Sequence, residues 1–333
     1  MANIVFTEAS GVADSIYGNC QAPIKLFLEK RGEDFEKYSA LKHLFDMGTS
    51  ENFGDLFTSM TAMDEGEPVG EMGAYPQTGF REGYQKLLVY ETWKQSFKIS
   101  EEMMDDSKIM DLTKRPEAFI TAWNRGRERF GASLYGAAIA GNSTFAYKGK
   151  IFDASCADGN PLFYASHPNK ITGTTQSNVY SDAFSASALG ALESAMHLFT
   201  GDNDEILDVA PDTILIPEIA SLKNAVLAAV GADKDPATAN NAWNYQYGRW
   251  NIIVWPYLNA FVTSGTAPWI LLDSKYNDTY GGAPWIDRKP LTVKSSIDEN
   301  TDANVWRGRA RYNATFNDWR FAAIAGISGA SSL

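Results

Sequence analysis

Cysteine and histidine are scarce in this chain, with two of the first and three of the second among 333 residues. Cys20 and Cys156 are far apart and have neither a CxxC nor a histidine-pair context, which excludes a disulfide framework and leaves two reduced, packed thiols. No two of His43, His167 and His197 stand at metal-ligand spacing, so no metal is expected. Long apolar runs are missing too, and no basic-then-apolar leader opens the sequence; a soluble protein made in a cytoplasm is expected. There is no run of basic residues. With a formal net charge of −12 and a pI near 4.8, the chain cannot grip nucleic acid by counterion release. An acidic wall can still enclose nucleic acid, because a surface that does not bind lets it slide.

Enzyme signatures are equally absent. The sequence holds no GxGxxG, Walker loop, HExxH, GxSxG or calcium loop, and no internal repeat, heptad run or low-complexity tract. No cofactor is expected.

What is present is a globular composition, 44% hydrophobic and 13% aromatic, in a chain long enough for two subdomains or one elaborated domain. Its longest helical signal is Thr113–Gly141. Phe119, Trp123, Gly126, Phe130, Leu134 and Ala137 follow steps of four and three and form one face of a helix. Thr113 suits an N-cap, Pro116 a first turn, and Gly141-Asn142 a stop. The other face is read as carrying Arg125, Arg127, Glu128 and Arg129.

Before this helix, residues 1–22 read as an extended arm with a short strand at Ile4–Phe6, and residues 23–47 as helical. Phe57–Met63 and the alternating stretch Leu87–Ile99 read as two strands joined by a long Gly- and Pro-rich tip. From Asp64 to Asp106 there are ten acidic residues and four basic ones. Tyr75, Phe80 and Tyr84 near the tip leave aromatic surface to be covered, by a neighbour or by the chain's own core.

After the helix, Ser143–Asp153 reads as a hairpin, Ala183–Leu198 as a second helix, and Thr213–Ile216 as a buried strand stopped by Pro217. Ala220–Val230 is a helix ending at Gly231, and 232–244 a loop. Ile252–Tyr257 and Trp269–Asp273 are further strands of a small α/β unit. Asn277–Pro290 reads as a polar loop, followed by strands at Leu291–Ile297, Val305–Phe316 and Asp318–Ile324.

Three residue groups invite chemistry. His167 beside Ser166, with Asp158 near in sequence, could form a nucleophile and base, but adjacent side chains on an extended segment point apart, and a turn-fixing histidine is the favoured reading. Asp105-Asp106, Asp202 with Asp204-Glu205, and Asp298-Glu299 lack the ligand count of a calcium loop and read as solvated charge. Lys86 could enter an isopeptide crosslink, though nothing singles out its partner.

The order of parts resembles that of the major capsid proteins of tailed bacteriophages, the Hong Kong 97 fold, and specifically the Mu-like major head subunit group. The segment Asp158-Gly159-Asn160-Pro161-Leu162-Phe163-Tyr164-Ala165-Ser166-His167-Pro168-Asn169 is similar to a D-G-x-x-L-F-x-x-x-H-x-N stretch after the long helix of that group. Residues 211–217 (PDTILIP), Trp269–Leu272, and the closing Arg309–Tyr312 and Asp318–Arg320 fit it as well.

The resemblance implies an α+β fold. It places an N-arm and short helices at 1–56, an E-loop hairpin at 57–106, and a P-domain at 107–180 with its spine helix at 113–141. An A-domain at 181–298 and strands returning to the P-domain at 299–333 complete it. It implies a shell-forming structural protein of the virion, not an enzyme, assembling with itself into pentamers and hexamers around double-stranded DNA. A portal and decoration proteins are implied partners. Many relatives carry a long N-terminal scaffolding segment that is absent here, so scaffolding is expected from a separate protein or not at all. Inter-subunit contacts are expected at Tyr75, Phe80 and Tyr84 of the hairpin and at Arg125, Arg127 and Arg129 of the helix. Two alternatives stand beside it, an encapsulin-like compartment enclosing cargo and a monomeric hydrolase using His167.

Overall fold

The computed structural model describes residues 5–7, 39–59, 68–75, 83–100, 102–103, 109–231, 244–263, 267–298, 300–301, 303–328 and 330–333. Most of the expected N-terminal arm, all of residues 23–38, Phe80, and residues 232–243 of the expected loop lie outside that set.

A 31-residue helix, Ile109–Ile139, is the longest element, about 46 Å at ~1.5 Å per residue. Phe119, Trp123, Phe130, Leu134 and Ala137 are all buried, as the spacing predicts. The helix stops in a Schellman motif: Gly141 has φ +68°, its N–H donates to the Ala138 carbonyl, and the Asn142 N–H donates to that of Ala137. Its start differs from the expected Thr113. Because the helix begins at Ile109, Pro116 is internal to it rather than in its first turn. Proline has no N–H, so one intrahelical bond is missing there.

One face of the helix packs on a five-stranded sheet. Val5–Thr7, Pro284–Asp298, Ala303–Ala314 and Glu91–Ile99 lie side by side, and Asp46–Thr49 also pairs with Pro284–Asp298. Among the described residues the strand Glu91–Ile99 forms an edge, bonded only to Ala303–Ala314. Its alternation turns Trp93 and Phe97 inward and leaves Lys94 and Lys98 exposed.

The polar stretch 277–290, expected as a loop, is instead helix and strand. Asp273 caps a helix at Ser274–Tyr280 by accepting from the Tyr276 N–H, and Gly281 ends it at φ 57°. The strand Pro284–Asp298 follows at once. Its charged residues mislead because Asp287 is buried against the helix and Pro290 sits among register shifts between Asp287 and Thr292.

A second sheet has the order Asn251–Val254, Thr213–Ile216, Trp269–Leu272, Ala322–Ala325. Thr213–Ile216, Trp269–Leu272 and Ala322–Ala325 are buried throughout, and Ala186–His197 and Ala220–Val230 are the associated helices. The stretch 252–257 is a strand only to Val254; Pro256 starts a 3-10 turn that lies against the long helix. Asp318–Phe321, expected as strand, is a buried turn.

Gly54–Thr58 and Gln85–Val89 pair antiparallel, Gly54 opposite Val89 and Thr58 opposite Gln85, and form the stem of the expected long hairpin. A smaller hairpin, Thr144–Tyr147 with Lys150–Asp153, closes over Phe130. Phe130 is fully buried, with Trp93, Phe145, Tyr147, Phe152, Trp285 and Tyr312 within ring-contact distance. Among the described residues, no helix is long and apolar enough to cross a membrane.

Candidate assembly surfaces

The three arginines expected on one helix face do not share one. Arg125 and Arg129 are four apart and both exposed. Arg127 lies two positions from each, on the opposite side, and is buried. Its Nη2 sits 2.8 Å from Asp287 Oδ2, and its guanidinium carbon lies 5.2 Å and 5.0 Å from the ring centres of Trp285 and Tyr312. Arg127 is therefore a core cation and offers nothing to a neighbour. Glu128, placed on the same outer face by the sequence reading, is also buried. It accepts from Ser39 Oγ at 2.6 Å and Trp255 Nε1 at 2.9 Å, and burial raises its pKa despite those bonds.

Arg125 and Arg129 border a cleft of about 360 Å³ between the helix, the edge strand Glu91–Ile99 and the turn at Lys148. Trp93, Trp123, Tyr147 and Tyr312 supply its aromatic walls. Lys94 and Lys148 join the two arginines among its lining residues, which include no carboxylate. The Tyr147 hydroxyl donates to the Gly126 carbonyl at 3.1 Å and fixes one wall to the helix.

The hairpin residues also divide. Tyr75 is 95% exposed, and Met72 nearby is fully exposed. Phe80 lies outside the described residues. Tyr84 is half-buried on its own chain, with the Lys170 ammonium 5.5 Å from its ring. Burial, then the carboxylates of Asp158 and Asp202, push its hydroxyl pKa up. Lys170 Nζ also donates to the Gly83 carbonyl at 2.6 Å. Within this chain Tyr84 packs at the hairpin's base.

Lys86 is a second anchor for that base. Its ammonium donates to Asp153 Oδ2 at 2.6 Å, Ser155 Oγ at 2.7 Å and the Ser155 carbonyl at 2.9 Å, which uses all three of its protons. Partial burial works against the Asp153 carboxylate, but Lys86 and Ser155 outweigh it and hold its pKa low.

His167 is fully buried. Nδ1 lies 2.7 Å from Asp158 Oδ2, Nε2 lies 3.2 Å from the Leu162 carbonyl, and the ring stacks on Trp319 at 4.4 Å. Both nitrogens are committed and Ser166 is exposed on the other side of the chain, so the pair forms no nucleophile and base. Burial disfavours the Asp158 carboxylate, yet bonds from His167 and Asn160 bring its pKa below the usual range. Next to it, Arg320 reaches Asp202 at 3.0 Å, Asp318 at 3.3 Å, Asn169 at 3.2 Å and the Thr200 carbonyl at 2.9 Å. Asp202, expected as solvated loop charge, is thus buried in an ion-pair network. Among the described residues, no group of three or more His, Cys, Asp or Glu is arranged to hold a metal ion.

The sequence profile of the phage capsid protein family matches residues 89–325, well over half of the chain. The chain belongs to that family. Its role is that of a structural, shell-forming protein of the bacteriophage head, located in the virion. No curated protein matches it by sequence. Among solved structures it is similar to the capsid of the native GTA particle, at 12% identity over 97% of this chain and 93% of that one, with a TM-score of 0.49. The procapsid of bacteriophage JBD30 is 13% identical over 92% of this chain and 75% of that one, with a TM-score of 0.48. The SrpI encapsulin of Synechococcus elongatus is 10% identical over 88% and 89%, with a TM-score of 0.49.

For this capsid protein, the turn-fixing role expected of His167 beside Asp158 agrees with the structure, whereas sequence reasoning missed the pairing of Lys86 with Asp153 and the buried Arg320 network. For Arg320 the visible signal was the closing Asp318-Trp319-Arg320, a cation near a carboxylate within an apolar stretch.

Proposed function

We propose that this capsid protein is the major head subunit of a tailed phage with the Hong Kong 97 fold, related to the Mu-like group. Copies assemble with themselves into pentamers and hexamers that close an icosahedral shell around double-stranded DNA. The family match over residues 89–325 is the observation that carries this reading. The order of elements supports it: a hairpin stem, a long helix, a small hairpin, a compact α/β unit and strands that return to the first sheet. On this reading residues 57–106 are the E-loop, 107–180 the P-domain, 181–298 the A-domain and 299–333 the returning strands, after an N-arm at 1–56. A net charge of −12 suits a wall that confines DNA without gripping it. Portal, decoration and separate scaffolding proteins are the partners such a shell takes, and subunits are made in the host cytoplasm.

The test is expression of the full chain in bacteria, then negative-stain microscopy and light scattering of the purified protein. Closed shells built of pentamers and hexamers are expected. A population that stays monomeric at all concentrations would remove the proposal, and shells packed with a cargo enzyme in place of nucleic acid would favour an encapsulin-like compartment.

A further inference from the structure

Four cations of this acidic chain line one cleft, and no carboxylate lines it with them. Lys94 comes from the edge strand Glu91–Ile99, Arg125 and Arg129 from the long helix, and Lys148 from the turn between Thr144–Tyr147 and Lys150–Asp153. Among the described residues none of the four has a carboxylate partner. Arg127 and Lys150, close to them in sequence, are paired with Asp287 and Glu91. A cleft walled by one sign of charge concentrates its field, here against the net charge of −12 on the whole chain.

Two local features work against this gathering of cations. Arg125 and Arg129 stand one helical turn apart, a spacing at which like charges repel. Lys148 has φ +47° and Gly149 φ +81°, in a two-residue hairpin turn whose first central position favours asparagine, aspartate or glycine over lysine. The lysine carries its ammonium to 5.7 Å from the Tyr147 ring on the cleft wall. An asparagine would suit the turn better and leave the cleft without its fourth cation.

The chemistry of the cleft specifies what would relieve it. Guanidinium forks and ammonium points from three elements match the oxygens of phosphate, and four positive charges call for an anion carrying several negative ones. At about 360 Å³ the cleft takes a small molecule and not a duplex. Its aromatic wall is already engaged: Trp93 stacks on Tyr312 at 5.1 Å and on Phe152 at 6.0 Å, so the anion rather than a ring is what the cleft recognises. A Cβ at Gly126, between the two arginines, would meet no described atom within 4 Å, which leaves the helix side of the cleft open.

We infer that this cleft binds a compact polyphosphate, inorganic or the phosphate tail of a nucleotide, held by Lys94, Arg125, Arg129 and Lys148. Bound there, the anion ties the long helix, the edge strand and the small hairpin together. The site lies within one copy of the chain and does not depend on the shell reading.

Isothermal titration calorimetry of the purified full chain with sodium tripolyphosphate, at fixed ionic strength, tests it. One saturable site per chain is expected, with a melting temperature that rises with anion concentration. ATP in a second arm separates the sources: equal or weaker affinity assigns inorganic polyphosphate, and at least about tenfold tighter binding assigns a nucleotide. R125A/R129A should weaken tripolyphosphate at least about tenfold, and Gly126→Leu should do the same by filling the cleft with no change of charge. Lys148→Asn should weaken it too while melting no lower than wild type without anion, a combination that general damage to the fold would not give. No saturable binding up to about 1 mM, equal binding of sulfate, or wild-type affinity in R125A/R129A and Gly126→Leu would overturn the inference. So would a DNA oligonucleotide that displaces tripolyphosphate at lower concentration than ATP does, since the occupant would then be a nucleic-acid backbone.

Discussion

Arg127 and Asp287 form a buried ion pair at 2.8 Å, joining the long helix to the strand that follows it in the sheet by 160 residues of sequence separation. Trp285 and Tyr312 flank the guanidinium and keep water from it. Removing either partner strands the other charge, so Arg127→Ala or Asp287→Ala should cost about 3–5 kcal/mol of folding stability. Arg125→Ala, on the exposed face, should change it by less than about 0.5 kcal/mol. Urea unfolding of the unassembled chain measures both. Charge reversal at Arg127 sets two carboxylates together in the core, so an assembly defect in any variant that includes it reports misfolding. Equal stability of the Arg125 and Arg127 variants would remove this account.

Acid should loosen the centre under the hairpin. Asp158 has its folded-state pKa depressed, so its contribution is fully present above the unfolded value of about 3.9 and is lost as pH falls through the folded value. Asp153 shifts in the same direction through Lys86. The melting temperature should therefore fall steeply below that unfolded value. Asp158→Asn should lower it at neutral pH and flatten the acid limb. Calorimetry from pH 7 to strong acid decides it, and an unchanged acid slope in Asp158→Asn would show that other carboxylates control the transition.

Repeating chemistry made part of this fold legible. The 3.6-residue apolar face exposed the long helix, β-branched runs marked the strands at Thr213 and Trp269, and Gly231 and Gly141 gave their helices ends in the right place. Polarity alone misled. Asp287 lies on the side of its sheet that faces the long helix, and the helix supplies Arg127 as its counter-charge, a long-range pairing that no window of sequence displays. The arginine face was readable but misread: positions two apart on a helix point about 200° apart, so Arg127 could never have shared a face with Arg125 and Arg129. Tyr84 failed for another reason. Its partner Lys170 lies across the hairpin base, 86 residues on, and aromatic exposure in a Gly-rich stretch gives no hint of it.

The hairpin stem should open when its ammonium anchor is cut. Lys86 spends three donors on Asp153 and Ser155, and these bonds tie Gln85–Val89 to the small hairpin. Lys86→Met keeps most of the stem's apolar bulk and removes the charge-assisted bonds, each contributing about 1.5 kcal/mol or more. Hydrogen exchange at the amides of Gln85–Val89 should quicken at least about tenfold, since loss of a single such bond, at about 1.4 kcal/mol per factor of ten, already reaches that. Amides of the Thr213–Ile216 strand should not change. Uniform acceleration across the chain would mean that Lys86 acts on global stability instead.

Three glycines of the long helix, Gly126, Gly131 and Gly136, differ in what surrounds them. Gly131→Ala and Gly136→Ala force a methyl against Leu41 and the Phe261 ring, and overpacking of this kind costs about 1–3 kcal/mol. Gly126→Ala meets open space and gains helix propensity, so it should stabilise the isolated chain by about 0.5–1 kcal/mol. The sign change along one helix is the prediction, and unassembled protein in denaturant is where it is measured. If Gly126→Ala proves as destabilising as its two neighbours, the space beside that glycine is filled by the chain itself, and the helix-propensity account of its effect fails.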